Sequence, residues 1–130
     1  MPTIFSRIVS GEIPSYRIVG DKDFLAFLDI NPLAAGHTLV VPKMEIDYLF
    51  DLEDEQLAKM IVFAKHVARA IGKAVPCKKV GVAVLGLEVP HAHIHLIPIN
   101  DIGDINFSNP KLRFSPAEFK TTAEQIIRFL

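Results

Sequence analysis

The most regular pattern in the chain is a helical one. From Asp54 to Lys73 apolar residues recur at Leu57, Met60, Ile61, Ala64, Val67, Ala68 and Ile71, a spacing of three and four that gathers one stripe on one side of a helix. This predicts a long helix with that stripe against a core. Phe63 lies off the stripe, where an aromatic side chain suits either a subunit contact or plain surface. A short amphipathic helix, capped by Thr3 and running through Val9, is predicted ahead of it, closed by Ser10-Gly11 and Ile13-Pro14. At the other end, Ser115-Pro116-Ala117-Glu118 reads as an N-cap, a proline at the first helical position and a capping-box glutamate, opening a helix through Leu130.

Between these lie segments of a different period. Tyr16–Val19, Phe24–Leu28 and His37–Val41 are rich in β-branched and aromatic residues and are separated by turn-forming stretches, as in an antiparallel meander. Two more strands are predicted at Val80–Leu85 and His91–Ile99, around the Gly86-Leu87-Glu88-Val89-Pro90 turn. Five strands with one long helix and a shorter helix at each end make an α+β fold. Residues 1–130 read as a single domain, with 100–130 a loop-plus-helix extension. The stretch Asn100–Phe114 has no clear period, and a connection of that length suits a binding or lid role.

Composition narrows the partners. Fourteen basic and fifteen acidic residues give a net charge of −1 and leave no electrostatic footprint for nucleic acid or an anionic membrane. A small ligand is expected instead. Cys77 is the single cysteine, so neither a disulfide within the chain nor a cysteine-based zinc site is available. No stretch reaches the roughly 18 apolar residues of a membrane span, and Met1-Pro2-Thr3-Ile4-Phe5-Ser6-Arg7 does not read as a secretory leader. The expectation is a cytoplasmic protein.

The candidate chemistry sits in residues 91–97, which read H-A-H-I-H-L-I. In an extended strand His91, His93 and His95 share one face, about 6.6 Å apart, while Ala92, Ile94 and Leu96 point to the other. Only His93 has an imidazole on each side. A neutral imidazole at about pH 7 is both a nucleophile and a proton carrier, which suits attack on phosphorus to give a phosphoramidate intermediate. Flanking imidazoles can donate to the nonbridging oxygens, and this route needs no cofactor. A metal site competes, since His-x-His can supply two ligands, but the outer histidines of a straight strand stand about 13 Å apart, and Glu45 or Glu88 would have to be recruited. His66 on the long helix and His37 in Gly36-His37-Thr38 are expected to be surface or turn residues.

At the histidine row the sequence resembles the histidine triad (HIT) family of nucleotide hydrolases and transferases, whose signature alternates histidine with apolar residues and ends in two apolar positions. Three further blocks carry the resemblance: Ile4–Val9 with Gly11-Glu12-Ile13-Pro14, then Ala26–Pro32, then Gly36–Lys43. It implies a HIT-like fold with about five strands per subunit, and a homodimer with one nucleotide site in each subunit. His93 matches the family nucleophile, and His91 and His95 match the flanking histidines that orient it and contact phosphate. Asp29 matches the acid that binds ribose hydroxyls, and Phe5, Ile8, Phe27 and Ile30 match an apolar base pocket. Without the resemblance those four would be core residues and Asp29 a turn residue beside Asn31-Pro32.

Departures from the family pattern cluster around the phosphates. Glu45 stands where a Hint-like branch commonly has histidine, while Val80, Val82 and Gly86-Leu87-Glu88 occupy places often held by hydrogen-bonding residues. Three functional readings follow. The first is a phosphoramidase or dinucleoside polyphosphate hydrolase-like enzyme acting on a purine nucleotide or nucleotide conjugate through a nucleotidyl-histidine. The second is a nucleotide-binding dimer with little or no turnover. The third is a His/Glu metallohydrolase.

Overall fold

The computed structural model describes residues 2–130. In chain order it contains α1 (Ile4–Ser10), β1 (Arg17–Gly20), β2 (Phe24–Leu28), β3 (Thr38–Pro42), α2 (Asp54–Ala74), β4 (Lys79–Ala83), β5 (Ile94–Ile99) and α3 (Pro116–Ile127). The five strands form one antiparallel sheet in the order β1-β2-β3-β5-β4. The meander therefore holds through β3, after which β5 takes the place beside it and leaves β4 at the edge.

Both faces of the sheet are covered, which is why all five residues of β2 and of β3 are buried. Alternation sorts their side chains. Phe24, Ala26, Leu28, Val40, Ile94 and Leu96 face α2 and α3 and form the larger core with Met60, Ala64, Val67 and Ile71. Leu25, Phe27, Leu39 and Val41 face the opposite way, against Phe5 and Ile8 of α1. This thinner layer leaves room for a cavity. Phe119, Ala123 and Ile126 of α3 join the larger core, so the C-terminal helix packs on the same side of the sheet as α2.

The capping signals act as their chemistry dictates. The Thr3 hydroxyl accepts the Ser6 amide, Gly11 ends α1 at φ 84°, and Ser115 and Glu118 form a reciprocal capping box. Two residues of α2 correct the sequence reading. Ile61 is 51% exposed, because the buried arc is centred on Met60, Val67 and Ile71 and the helix turns Ile61 about 100° away from Met60. Phe63 is half-buried and packs on Phe24 at 5.6 Å, so it belongs to the core and not to an open surface. Among the described residues no helix is long and apolar enough to cross a membrane.

The larger correction concerns the histidine row. Pairing of β3 with β5 runs from Thr38 with Leu96 to Val40 with Ile94 and stops there. Pro42 has no amide to offer the ladder, and its carbonyl accepts the His91 ring instead. Residues 91–93 consequently leave the sheet, with the Ala92 amide donating to Ile46 O. Ala92, Ile94 and Leu96 remain in the core as the alternation predicted.

Gly36 shapes the loop that leads into His37. It holds φ at +88° just before His37, and an added Cβ would stand 2.9 Å from Val75 Cγ2. Gly36→Ala should lower unfolding stability by about 1–3 kcal/mol, read by chemical denaturation against the parent. An unchanged midpoint would show that this loop relaxes freely.

Candidate active site

Leaving the sheet gives each histidine of the row a different environment. His91 is fully buried and fixed at both ends: Nε2–H donates to Pro42 O at 2.8 Å, and Nδ1 accepts the Thr3 hydroxyl at 2.8 Å. The His91 carbonyl in turn accepts Nδ1–H of His93 at 2.7 Å. A carbonyl can only accept, so neutral His93 carries its proton on Nδ1 and keeps a bare lone pair on Nε2. Phe5 packs edge-on against His93 at 4.9 Å, and His95 does so from the other side at 4.9 Å.

His37 departs from the expectation of a surface or turn residue. It is 1% exposed, not a surface or turn side chain, because the loop after β2 folds it beneath the site. The Leu33 amide donates to its Nδ1 at 3.0 Å, which leaves the proton on Nε2, donated to His95 Nδ1 at 2.9 Å. His95 therefore keeps its own proton on Nε2. Two backbone groups, one amide and one carbonyl, set the tautomers of three rings. The sequence signal available was only that His37 falls inside one of the blocks carrying the family resemblance.

Burial fixes the charge of these rings. It pushes His37 down to about 4, with Lys111 and His93 adding to the effect. Burial likewise pushes His95 down to about 3, with His93 and His37 next in size. His93 is also lowered by burial, against a smaller raising effect from the His91 carbonyl. His37 and His95 are neutral at pH 7, and the 3.5 Å approach of His37 Nε2 to Asp29 is not an ion pair there.

A cavity of about 390 Å³ opens over this group. His93, His95, Phe5, Ile8, Phe27, Asp29 and Ile30 all line it, and so does His37. His91 does not. Ile30 is 61% exposed at the rim, while Phe5, Ile8 and Phe27 are buried in the wall. Glu88 and Leu87 sit at the mouth, with Leu87 90% exposed. Glu45 is outside the cavity: its carboxylate accepts the Thr3 amide at 2.8 Å and the Ser6 hydroxyl at 2.5 Å, which together hold its carboxyl below the usual range. It clasps the start of α1, whose Thr3 supports His91.

Asp29, His37 and His95 offer ligand atoms within 4.8 Å of one another. The donor set does not fit a metal ion. A metal on His37 Nε2 would require the ring proton on Nδ1, where the Leu33 amide already points its own proton. Glu45 and Glu88, the acids a sequence-based metal reading would recruit, belong to no such group among the described residues.

A HIT domain model matches residues 10–102 of the chain. The adenosine 5'-monophosphoramidase of Schizosaccharomyces pombe is 34% identical over 128 residues, covering 97% of this chain and 96% of that protein. The crystal structure of a Hit-like protein involved in cell-cycle regulation from Bartonella henselae superposes with a TM-score of 0.86 at 32% identity, covering 98% of this chain and 96% of that one. A zinc-bound histidine triad family protein from Mycobacterium smegmatis gives 0.81 at 30% identity, over 97% and 91%. With its antiparallel sheet, its buried histidine row and these matches together, the chain belongs to the histidine triad family.

Proposed function

We propose that the protein is a nucleotide hydrolase or transferase in which His93 Nε2 attacks the α-phosphate of a nucleotide conjugate. One observation carries this reading: the lone pair of His93 faces the cavity because Nδ1–H is anchored on the His91 carbonyl. As the nitrogen–phosphorus bond forms, the bond to the leaving group breaks with its electron pair. The imidazolium that results keeps Nδ1–H on the same carbonyl, which accepts more strongly as the ring gains charge. Water then attacks phosphorus, the pair returns to Nε2 and a proton is lost to solvent, so the ring ends neutral as it began.

His95 donates Nε2–H to a phosphate oxygen, Asp29 accepts from ribose hydroxyls, and Phe5, Ile8, Phe27 and Ile30 enclose a purine. His91 acts through its carbonyl and its packing rather than by touching phosphate. Relatives that include an adenosine 5'-monophosphoramidase support the reaction class. The outer edge of β4, unpaired among the described residues and with Val82 56% exposed, supports a homodimer through that edge. A nucleotide-binding dimer without turnover is the second reading, favoured by Leu87 and Glu88 at the mouth, which offer a phosphate no donor side chain.

Rapid quenching during turnover of adenosine 5'-phosphoramidate should trap an adenylate on the 91–95 peptide, and His93→Ala should lose both the adduct and roughly 10³-fold or more of kcat. Nucleotide binding with no adduct and no turnover in the intact protein selects the second reading. The pH profile is a separate check. The neutral ring is the competent form and its folded pKa is lowered, so kcat/KM should stay level as pH falls through 6.5 and decline only below it; an acid limb at or above 6.5 contradicts the buried environment. Folding stability is likewise fully present above 6.5. It should fall as pH drops toward the folded values of His37 and His95, about 4 and about 3, because the unfolded chain binds those protons first.

A further inference from the structure

Four rings stand in file across the cavity. Phe5 meets His93 at 4.9 Å, His93 meets His95 at 4.9 Å, and His95 meets Phe107 at 4.7 Å. Beyond them Lys111 Nζ lies 5.8 Å from the centre of the Phe107 ring. Phe107 and Lys111 belong to the connection between β5 and α3, which is tied to the loop after β2 by the Leu112 amide on Pro32 O at 2.8 Å. The Lys111 ammonium donates to Phe107 O at 2.5 Å and Asn109 O at 3.3 Å, which orients it and leaves one of its three protons for a ligand. Lys111 is the one lysine or arginine among the described residues lining the cavity, where Asp29 and Glu88 supply only negative charge.

The file has a direction. The apolar wall of Phe5 and Phe27 lies on one side of His93, and His95 with its free Nε2–H lies on the other. With the base against the first, the leaving group falls beside His95, Phe107 and Lys111. His95 is a hydrogen-bond donor there and not an acid: its Nδ1 already accepts from His37, so surrendering Nε2–H would leave an anionic ring. An amine must collect a proton as it departs. A phosphate, sulfate or carboxylate leaves with the electron pair of the broken bond as a stable anion and collects none.

We propose that Lys111, held by the turn that carries Phe107, is a specificity-determining residue that receives an oxyanion leaving group, so that the site prefers mixed anhydrides of the nucleotide α-phosphate with a second oxyacid over its amides. This rests on the reading of His93 given above. The His93 Nε2–phosphorus bond forms and the phosphorus–oxygen bond of the anhydride breaks. Its electron pair stays on the departing oxygen, whose charge the ammonium meets. Water then releases the nucleoside monophosphate.

The test compares kcat/KM for diadenosine tetraphosphate, adenosine 5'-phosphosulfate and adenosine 5'-phosphoramidate in the intact protein, Lys111→Met and Lys111→Arg, alongside the Kd of AMP and ADP. One charge-assisted contact amounts to about 10- to 100-fold. Lys111→Met should lose that factor on an anhydride relative to the amide, and Lys111→Arg should regain most of it. Loss on both anhydrides identifies a general oxyanion receptor; loss on the tetraphosphate alone restricts it to phosphate. The intact protein should bind ADP more tightly than AMP, and Lys111→Met should erase the difference without turnover being involved. Equal losses on all three substrates, or an ADP preference that survives Lys111→Met, overturn the inference and leave the His93 reading standing. Absence of any adduct with Lys111-dependent ADP binding intact overturns the His93 reading alone.

Discussion

The site depends on one hydrogen bond, from His93 Nδ1–H to the carbonyl of His91. Without it the ring has two interchangeable tautomers and no fixed lone pair. With it, Nε2 is unprotonated and faces the cavity at neutral pH. The bond exists because residues 91–93 leave the sheet, and they leave because Pro42 ends the ladder and gives its carbonyl to the His91 ring. The Thr3 hydroxyl completes the support of His91, and the Glu45 carboxylate holds Thr3 and Ser6 in place. The first turn of α1 and a proline in β3 thereby help hold the His93 ring, Phe5 by direct contact and Thr3 and Pro42 through His91.

A second line of hydrogen bonds serves His95. It starts at the Leu33 amide, passes through His37, and leaves Nε2–H of His95 as a donor toward the cavity. Desolvation keeps these rings uncharged, which costs folding stability in acid but preserves an unprotonated ring nitrogen and a neutral donor near pH 7. The same chain of donors is what makes Asp29, His37 and His95 a poor metal site despite their closeness. Proximity of ligand atoms is necessary for a metal, but the position of the protons decides.

Much of this was legible in the sequence where the signal is local. The stripe of α2, the Thr3 and Ser115 caps and the core positions Ala92, Ile94 and Leu96 follow from periodicity and capping chemistry within one segment. The pocket residues Phe5, Ile8, Phe27, Asp29 and Ile30 came from the resemblance, and the fold gathers them around one cavity. What could not be read depends on partners far along the chain. His37 looked like a loop residue because its partner His95 is 58 positions away. The row looked like uninterrupted strand because nothing within 91–97 reveals that the opposite residue is a proline. Phe107 and Lys111 lie in a stretch without period, where length alone suggested a binding role.

The most direct test is the tautomeric state of the histidine rings, read from their ring-nitrogen shifts by NMR at pH 7 in the ligand-free protein. His93 should be neutral with its proton on Nδ1, and His37 and His95 neutral with theirs on Nε2. A His93 protonated on Nε2, or carrying both protons at that pH, would contradict this assignment.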